Sequence, residues 1–459
     1  MNLSSYVKFV KKRGRLDLGN DPVGPLLLRM SLPSMAAMLA TSLYNIVDTF
    51  WIAKISPDAI AALTICFPIQ MIFSAIGFGT GLGAGSFASR MFGKGDKIKA
   101  HRTAGQIIFL SIFFGLSTIF LGTIFYDSIL TFFGATRAIL PLSEKYLTIV
   151  VFGAPFLFFM MMSDNLFRAE GNPTVPMLVI MTSAILNVVL DPFLIFGWGP
   201  FPEMGIQGAA LATVMSQFIS ILLSSYFLFS THSRYKLKWR YLLPEWSIIK
   251  AIYQVGFPSF IVNVAMSLVL TVYNQKLAAF GTLAVATLGL GFRINGILMM
   301  LIFGIGHGVM PIVGFSAGAR NYKRLKDVVR FAVKFSACIA GVTCVLIEIF
   351  VHPILTAFTK DPGLLAIAAP ALKIYISTQI LVGPVIVWIH MFNGLGKGIT
   401  SMILMLTRQL LFLIPLIFIL PHFFDLNGVW MAQPIANVLV FFIVRSRAKR
   451  ELRNLKLET

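Results

Sequence analysis

Two aspartates, Asp48 and Asp191, sit inside long apolar runs of this chain. A carboxyl group at the centre of a membrane helix costs roughly 2.5–3.5 kcal/mol on insertion scales, so neither side chain is expected to face lipid. Each has an amide one turn before it on the same helical face: Asn45 before Asp48 in YNIVD, and Asn187 before Asp191 in LNVVLDPFLIF. Pro192 follows Asp191 and lacks a backbone donor, so a carbonyl near this turn loses its helical partner and becomes available as a ligand. Tyr146 and Thr213 lie in two further apolar runs. Counted from the outer ends of their runs at about 1.5 Å per residue, Asp48, Tyr146, Asp191 and Thr213 fall roughly 9–12 Å below the outer surface of the hydrocarbon core. A carboxylate, an amide oxygen, a phenol and a hydroxyl at one depth are an oxygen-rich set suited to a proton or a hard cation. The competing reading is helix-to-helix bonding at separate interfaces. If the ion is sodium, Asp48, Asn187 and Asp191 are the expected metal ligands.

These residues need membrane helices to hold them. The 459 residues are 57% hydrophobic and only 12% charged, about half the charged share of a soluble domain. The stretch from Leu26 to Ile55 is long enough to cross a bilayer core of about 30 Å with some tilt. Pro33 lies in it and invites a kink, which makes it a candidate hinge. The basic start leads into a run too long for a signal-peptide core, so no removable leader is expected. Twelve spans are expected, at roughly 26–55, 59–87, 103–126, 140–163, 173–197, 205–230, 248–280, 283–313, 327–352, 363–393, 398–421 and 426–445.

The net charge of +20 is not spread like a nucleic-acid surface. Basic residues cluster in alternate connections: Lys8, Lys11, Lys12, Arg13 and Arg15; Arg90, Lys94, Lys97, Lys99 and Arg102; Arg168; Arg234, Lys236, Lys238 and Arg240; Arg320, Lys323, Arg324 and Lys326; Lys397; and the C-terminal tail through Lys456. The other connections hold few, chiefly Lys54, Arg137 and Lys360. This alternation predicts a multi-pass protein of the cell membrane with both termini cytoplasmic. It divides into an N-terminal tail (1–25), a first lobe (26–230), a cytoplasmic linker (231–247), a second lobe (248–445) and a C-terminal tail (446–459).

An internal repeat supports that division. Shifting by 225 positions, without a gap, places Pro33 and Ser34 on Pro258 and Ser259, and Phe67 and Ile69 on Phe292 and Ile294. The same shift places Phe78, Gly79, Gly81, Gly83 and Gly93 on Phe303, Gly304, Gly306, Gly308 and Gly318. The expected fold is therefore all-α integral membrane, with twelve transmembrane helices in two parallel-repeat six-helix bundles, a transporter architecture. Asp48 maps onto Tyr273, so ion chemistry is expected in the first half.

Other polar residues have more than one reading. Arg293, inside the eighth span, calls for a polar interior and a partner, either a structural one in the second half or a substrate. With Asn45 and Asp48 it is a substrate-cavity candidate. His307 and His390 read as packing histidines, and Lys276, Glu348 and Lys373 as snorkelling residues. Cys66, Cys338 and Cys344 read as small core residues. The glycine ladders permit close helix approach or local flexibility. No nucleophile–base pair, metal-spaced cluster or Walker A element is present, which argues against an enzyme or an ATP-driven pump.

Taken together, these residues resemble the multidrug and toxic compound extrusion (MATE) transporters. The motifs are Pro33 with YNIVD, GSFASRMFGKGD, RAEGNP from Arg168, LNVVLDP ending at Pro192, and FNGLGKG from Phe392. Asp48 and Asp191 are similar to the acids of the DinF-like branch, and the seventh span lacks the glutamate of another branch. The resemblance implies a cation-coupled antiporter, driven by H+ or Na+, that exports varied, often cationic amphiphiles by alternating access. It implies that Asp48, Tyr146, Asn187, Asp191 and Thr213 match the family's ion site, and that Pro33 is the hinge. The alternative is a lipid-linked oligosaccharide flippase of the same superfamily. The expected partners are small amphiphilic molecules and the lipid bilayer, with no nucleic acid; no cofactor beyond the coupling ion and a monomeric chain are expected.

Overall fold

The computed structural model describes residues 16–231 and 233–455. The basic residues Lys8, Lys11, Lys12, Arg13, Arg15 and Lys456, used above for orientation, lie outside the described residues. Helices α1 (Val23–Ala53), α2 (Pro57–Lys94), α3 (Lys97–Phe132), α4 (Leu140–Ala169), α5 (Thr174–Phe196) and α6 (Ile206–Phe229) form the first half. In the second half follow α7 (Trp246–Ala278), α8 (Thr282–Gly318), α9 (Tyr322–Ile349), α10 (Pro362–Ile376), α11 (Gln379–Gly394), α12 (Gly398–Ile419) and α13 (Pro421–Asn454). No strand occurs among the described residues.

Eleven of these helices are each long and apolar enough to cross a membrane, and α10 with α11 makes a twelfth span bent by 47°. The expected tenth span is thus broken at Ser377–Thr378. There the α-helical ladder gives way to tighter bonds, from Ser377 N–H to the Ile374 carbonyl at 3.3 Å and from Leu381 N–H to the Thr378 carbonyl at 3.0 Å. A second irregularity lies in α12, where Thr407–Leu413 winds as a π-helix. A third opens α13, where Phe424 and Asp425 leave helical geometry and Asp425 has φ 47°.

The helix ends follow local chemistry. Ser56 caps α2 by accepting from Ala59 N–H at 3.1 Å, with Pro57 in the first turn. Gly95 closes α2 at φ 81°, a left-handed conformation that favours glycine. Asp96 then caps α3 through Lys99 N–H at 3.0 Å, so the KGDK sequence makes a tight reversal.

The described residues form two compact units. The first takes Ala36–Phe257 with the described residues before Leu18; the second takes Leu18–Met35 with those from Pro258 on. The division therefore falls inside α1 and inside α7, beside Pro33 and at Pro258. The glycine ladders explain it. In the first unit, a Cβ at Gly83 would collide with the Ile252 carbonyl of α7, and one at Gly81 would lie 2.9 Å from the Met161 carbonyl of α4. In the second unit, the repeat-related Gly308 faces Ser31 and Met30 of α1, and Gly304 faces Met35. Each ladder is a close-approach surface for the start of a long helix.

The connection after α6 is strapped to the first unit. Glu170 accepts from Ser233 Oγ at 3.3 Å and Arg234 N–H at 2.6 Å, and Tyr235 donates its hydroxyl to the Leu166 carbonyl at 3.0 Å. Burial, and then the Glu170 carboxylate, push the Tyr235 phenol well above its ordinary range. Gln106 donates to the Tyr241 and Leu243 carbonyls at 3.0 and 2.7 Å, and Arg102 pairs with Glu245 at 2.8 Å.

Candidate functional site

Asp48, Tyr146, Asn187, Asp191 and Thr213 converge inside the first unit. The turn between α5 and α6 sets two of the carriers side by side. A Cβ at Gly208 of α6 would overlap the Leu194 carbonyl of α5, so only glycine permits this separation. Five residues farther along α6, Thr213 Oγ1 accepts from Asn187 Nδ2 at 3.2 Å. The same Asn187 amide donates to Asp191 Oδ1 at 3.3 Å, within α5. Asp191 is fully buried and Asn187 nearly so. Asp48, on α1, lies within electrostatic reach of Asp191 and of Tyr146. Tyr146, on α4, is buried, and its hydroxyl accepts from Gln70 Nε2 of α2 at 3.2 Å.

Three oxygens of this group are buried and have no hydrogen-bond partner among the described residues: Asp48 Oδ1, Asn187 Oδ1 and Asp191 Oδ2. An unsatisfied buried acceptor costs about 1–3 kcal/mol. With the phenol and the Thr213 hydroxyl they make an acceptor-rich group whose free oxygens a proton or a small hard cation would satisfy. No cluster of three or more His, Cys, Asp or Glu groups able to hold a metal occurs among the described residues; the set has two acids and relies on neutral oxygens for the rest.

The remaining sequence candidates stand apart from this group. Asn45 is exposed on α1, and its carbonyl accepts from Thr49 Oγ1 at 2.8 Å. Arg293 belongs to the second unit, is exposed, and makes no ion pair among the described residues. Pro33 is buried within a continuous α1. His390 donates to the Ile386 carbonyl at 2.9 Å and packs edge-on against His307, with ring centroids 5.7 Å apart. Lys276 lies over the Phe418 ring. The three cysteines are free, and Cys66 and Cys344 are buried.

Sequence reasoning missed several residues. Gln70 and Tyr44 belong beside the first-half group: Gln70 through its bond to Tyr146, and Tyr44 through its electrostatic contact with Asp48. An amide inside an apolar span is the same signal that flagged Asn187. Asp164 escaped because the fourth span was ended at Ser163; α4 continues to Ala169. The extension also corrects Arg168, which is not a loop residue but a buried one in the last turn of α4, one turn from the buried Asp164. Arg408, in the π-helical turn of α12, was overlooked entirely.

The MatE family model matches residues 33–193 and 258–419, one stretch in each half. The FAD transporter of Shewanella oneidensis is 28% identical over 450 residues, covering 97% of this chain and 99% of that protein. The multidrug export protein MepA of Staphylococcus haemolyticus is 28% identical over 429 residues, covering 92% and 94%. Among solved structures, an outward-facing conformation of a multidrug resistance MATE family transporter of the MOP superfamily superposes with a TM-score of 0.90 at 27% identity, covering 96% of this chain and 98% of that one.

Proposed function

The chain belongs to the MatE family of membrane transporters, and on that premise we propose that it is a cation-driven antiporter that exports amphiphilic, often cationic small molecules by alternating access. The observation that carries the reading is the first-half group, in which Asp48, Asn187 and Asp191 each hold a buried oxygen without a hydrogen-bond partner among the described residues. The multidrug export named for MepA relatives supports the cargo class.

The coupling ion is H+ or Na+, held by Asp48 and Asp191 with Asn187, Tyr146 and Thr213 around them. While the carboxylates are ionised they attract a cationic cargo. An arriving proton or sodium ion removes that attraction, so the two cations bind antagonistically, and the antagonism is reciprocal. Export follows when the empty site changes sides far less readily than either loaded one. Pro33 serves as the hinge of α1. Both termini lie on the cytoplasmic side of the cell membrane, a reading supported by the basic connections.

The test is efflux of a fluorescent organic cation from proteoliposomes, with proton and sodium gradients imposed separately. One gradient is expected to drive export, and Asp48→Asn and Asp191→Asn are each expected to abolish the drive while the protein inserts normally. Loss of the ion-site assignment follows if both variants export at the wild-type rate. Because one relative is named a FAD transporter, the same vesicles should be run with FAD as a second cargo. Drive for FAD and none for the cation would overturn the cationic cargo class.

A further inference from the structure

Arg408, in the second unit, is a cation with no ion pair among the described residues. Arg408 lies ten residues into α12, about 15 Å along a helix crossing a core of about 30 Å. An arginine at that depth is costly on its own and needs a counter-charge or strong acceptors. The ion pairs described in the second unit join Asp327 to Arg330 and Glu451 to Lys397, and neither involves Arg408. Its Nε is buried and has no hydrogen-bond partner among the described residues. Two phenols, Tyr375 of α10 and Tyr273 of α7, lie within its electrostatic reach. Tyr273 is 1% exposed, and its hydroxyl is also buried and without a partner among the described residues. These phenols do not neutralise a guanidinium at physiological pH, because an ordinary phenol ionises near pH 10.

Packing places Tyr273 against the α12 turn that carries Arg408, independently of charge. Tyr273 shares one core cluster with Ala371 of α10, Leu413 of α12 and Trp430 of α13. The Thr407–Leu413 segment that carries Arg408 is wound as a π-helix, a geometry that recurs at functional sites. Tyr375 also borders a narrow apolar cleft of about 10 Å³, with Leu288, Gly291, Ala371, Leu372 and Trp430. Guanidinium N–H groups and a phenol O–H are donors, so a cation would be repelled and a neutral polar group would leave the charge uncompensated. A carboxylate or phosphoryl oxygen answers both needs, with charge-assisted bonds from the arginine fork and a hydroxyl already desolvated.

We propose that Arg408, Tyr273 and Tyr375 form an oxyanion-binding site in the second half, which takes a carboxylate or phosphoryl group. That chemistry is shared by an anionic lipid headgroup and by a soluble organic acid. The site does not depend on the ion-coupling reading of the first half, and its test needs no gradient.

The test uses the full chain in phosphatidylcholine nanodiscs and two fluorescent probes, pyrenebutyrate and its uncharged analogue pyrenebutanol. Wild type is expected to bind the acid about tenfold more tightly than the alcohol, the strength of a charge-assisted contact. Arg408→Gln is expected to erase that preference, and Tyr273→Phe, which keeps the packing, to reduce it about threefold. Should Arg408→Gln fail to fold, judged by its thermal unfolding, Tyr273→Phe and Tyr375→Phe carry the test. Equal binding of the two probes by wild type, or an unchanged preference in the folded variants, overturns the site. A second arm adds phosphatidylglycerol to the discs. Competition with pyrenebutyrate in wild type marks the site as a lipid headgroup site; undiminished binding marks it as one for a soluble organic anion.

Discussion

Helices in corresponding positions of the two halves carry opposite chemistry. In the first half α1, α4 and α5 bring Asp48, Tyr146, Asn187 and Asp191, a set dominated by acceptors with three buried oxygens unpaired. In the second half α7, α10 and α12 bring Tyr273, Tyr375 and Arg408, a set dominated by donors, in which the buried Arg408 Nε and Tyr273 hydroxyl have no hydrogen-bond partner among the described residues. What the two halves share is packing: the prolines at 33 and 258 occupy matching positions, and the glycines at 83 and 308 each permit close approach of a long helix. The polar side chains differ. Asp48 aligns with Tyr273, and Ser183 with Arg408, in the ungapped register. A helix–helix surface is fixed by backbone approach and tolerates little change, whereas the polar residues were free to take opposite charge in each half.

The largest test of this contrast is removal of the first-half acids. Asp48→Asn and Asp191→Asn keep shape and hydrogen bonding but remove the charge, and gradient-driven export is expected to fall to the no-gradient background in each. Tyr273→Phe, at the repeat position of Asp48, is expected to leave the ion dependence of export unchanged. Transport that is equally sensitive to both changes would show that the two halves share one chemistry after all.

The packing side of the comparison can be broken by adding one carbon. At Gly83 a methyl group meets the Ile252 carbonyl, a backbone atom that cannot move alone. Its repeat mate Gly308 meets Ser31 Oγ at 2.5 Å, and Met30 Cβ only at 3.2 Å. A serine hydroxyl can rotate away. Gly83→Ala is expected to cost about 3 kcal/mol and Gly308→Ala about 1 kcal/mol, the two ends of the overpacking range. Thermal unfolding in detergent measures both. Equal losses would mean that the backbone collision at Gly83 is relieved by a helix shift.

Pro33 tests the hinge. Pro33→Ala restores a backbone donor inside α1 and is expected to straighten it. Export should slow by a factor of about three, with expression unchanged, which corresponds to roughly 0.6 kcal/mol on the limiting barrier. Unchanged efflux would show that the proline shapes α1 without gating it.

Much of this was legible in the chain itself. The spans, the repeat and the first-half oxygen set follow from hydropathy, from spacing along a helix and from the rule that buried acids are costly. Spacing alone could give Tyr146 and Asp191 equal depth, but not the Gly208 contact that brings Thr213 against Asn187. Asp164 was lost because a polar residue at a span end reads as loop, although α4 continues past it. The π-helical turn around Arg408 left no mark, because TRQLLFL contains neither proline nor glycine. The division of α1 and α7 between units depends on which backbone the glycines touch, which is a tertiary fact.

The smallest effect expected is at Thr213, and it separates two roles. Its hydroxyl accepts from Asn187 Nδ2 at 3.2 Å, and the same nitrogen also donates to Asp191 Oδ1 at 3.3 Å. If Thr213 orients Asn187, so that its unpaired Oδ1 faces the ion, Thr213→Val removes one of two anchors and keeps the shape. The remaining bond to Asp191 still holds the amide, so the loss should lie at the low end for a hydrogen bond, about 0.5 kcal/mol. That is about a twofold rise in the ion concentration that half-saturates export. If Thr213 is itself a ligand, the valine places a methyl group where an oxygen stood, and a buried ion loses part of its coordination. The rise should then exceed about tenfold, more than 1.4 kcal/mol. Half-saturation of proteoliposome export, measured for wild type, Thr213→Val and Asn187→Ala, distinguishes the two. A Thr213→Val value as poor as that of Asn187→Ala would place the hydroxyl on the ion, and a value indistinguishable from wild type would remove Thr213 from the set.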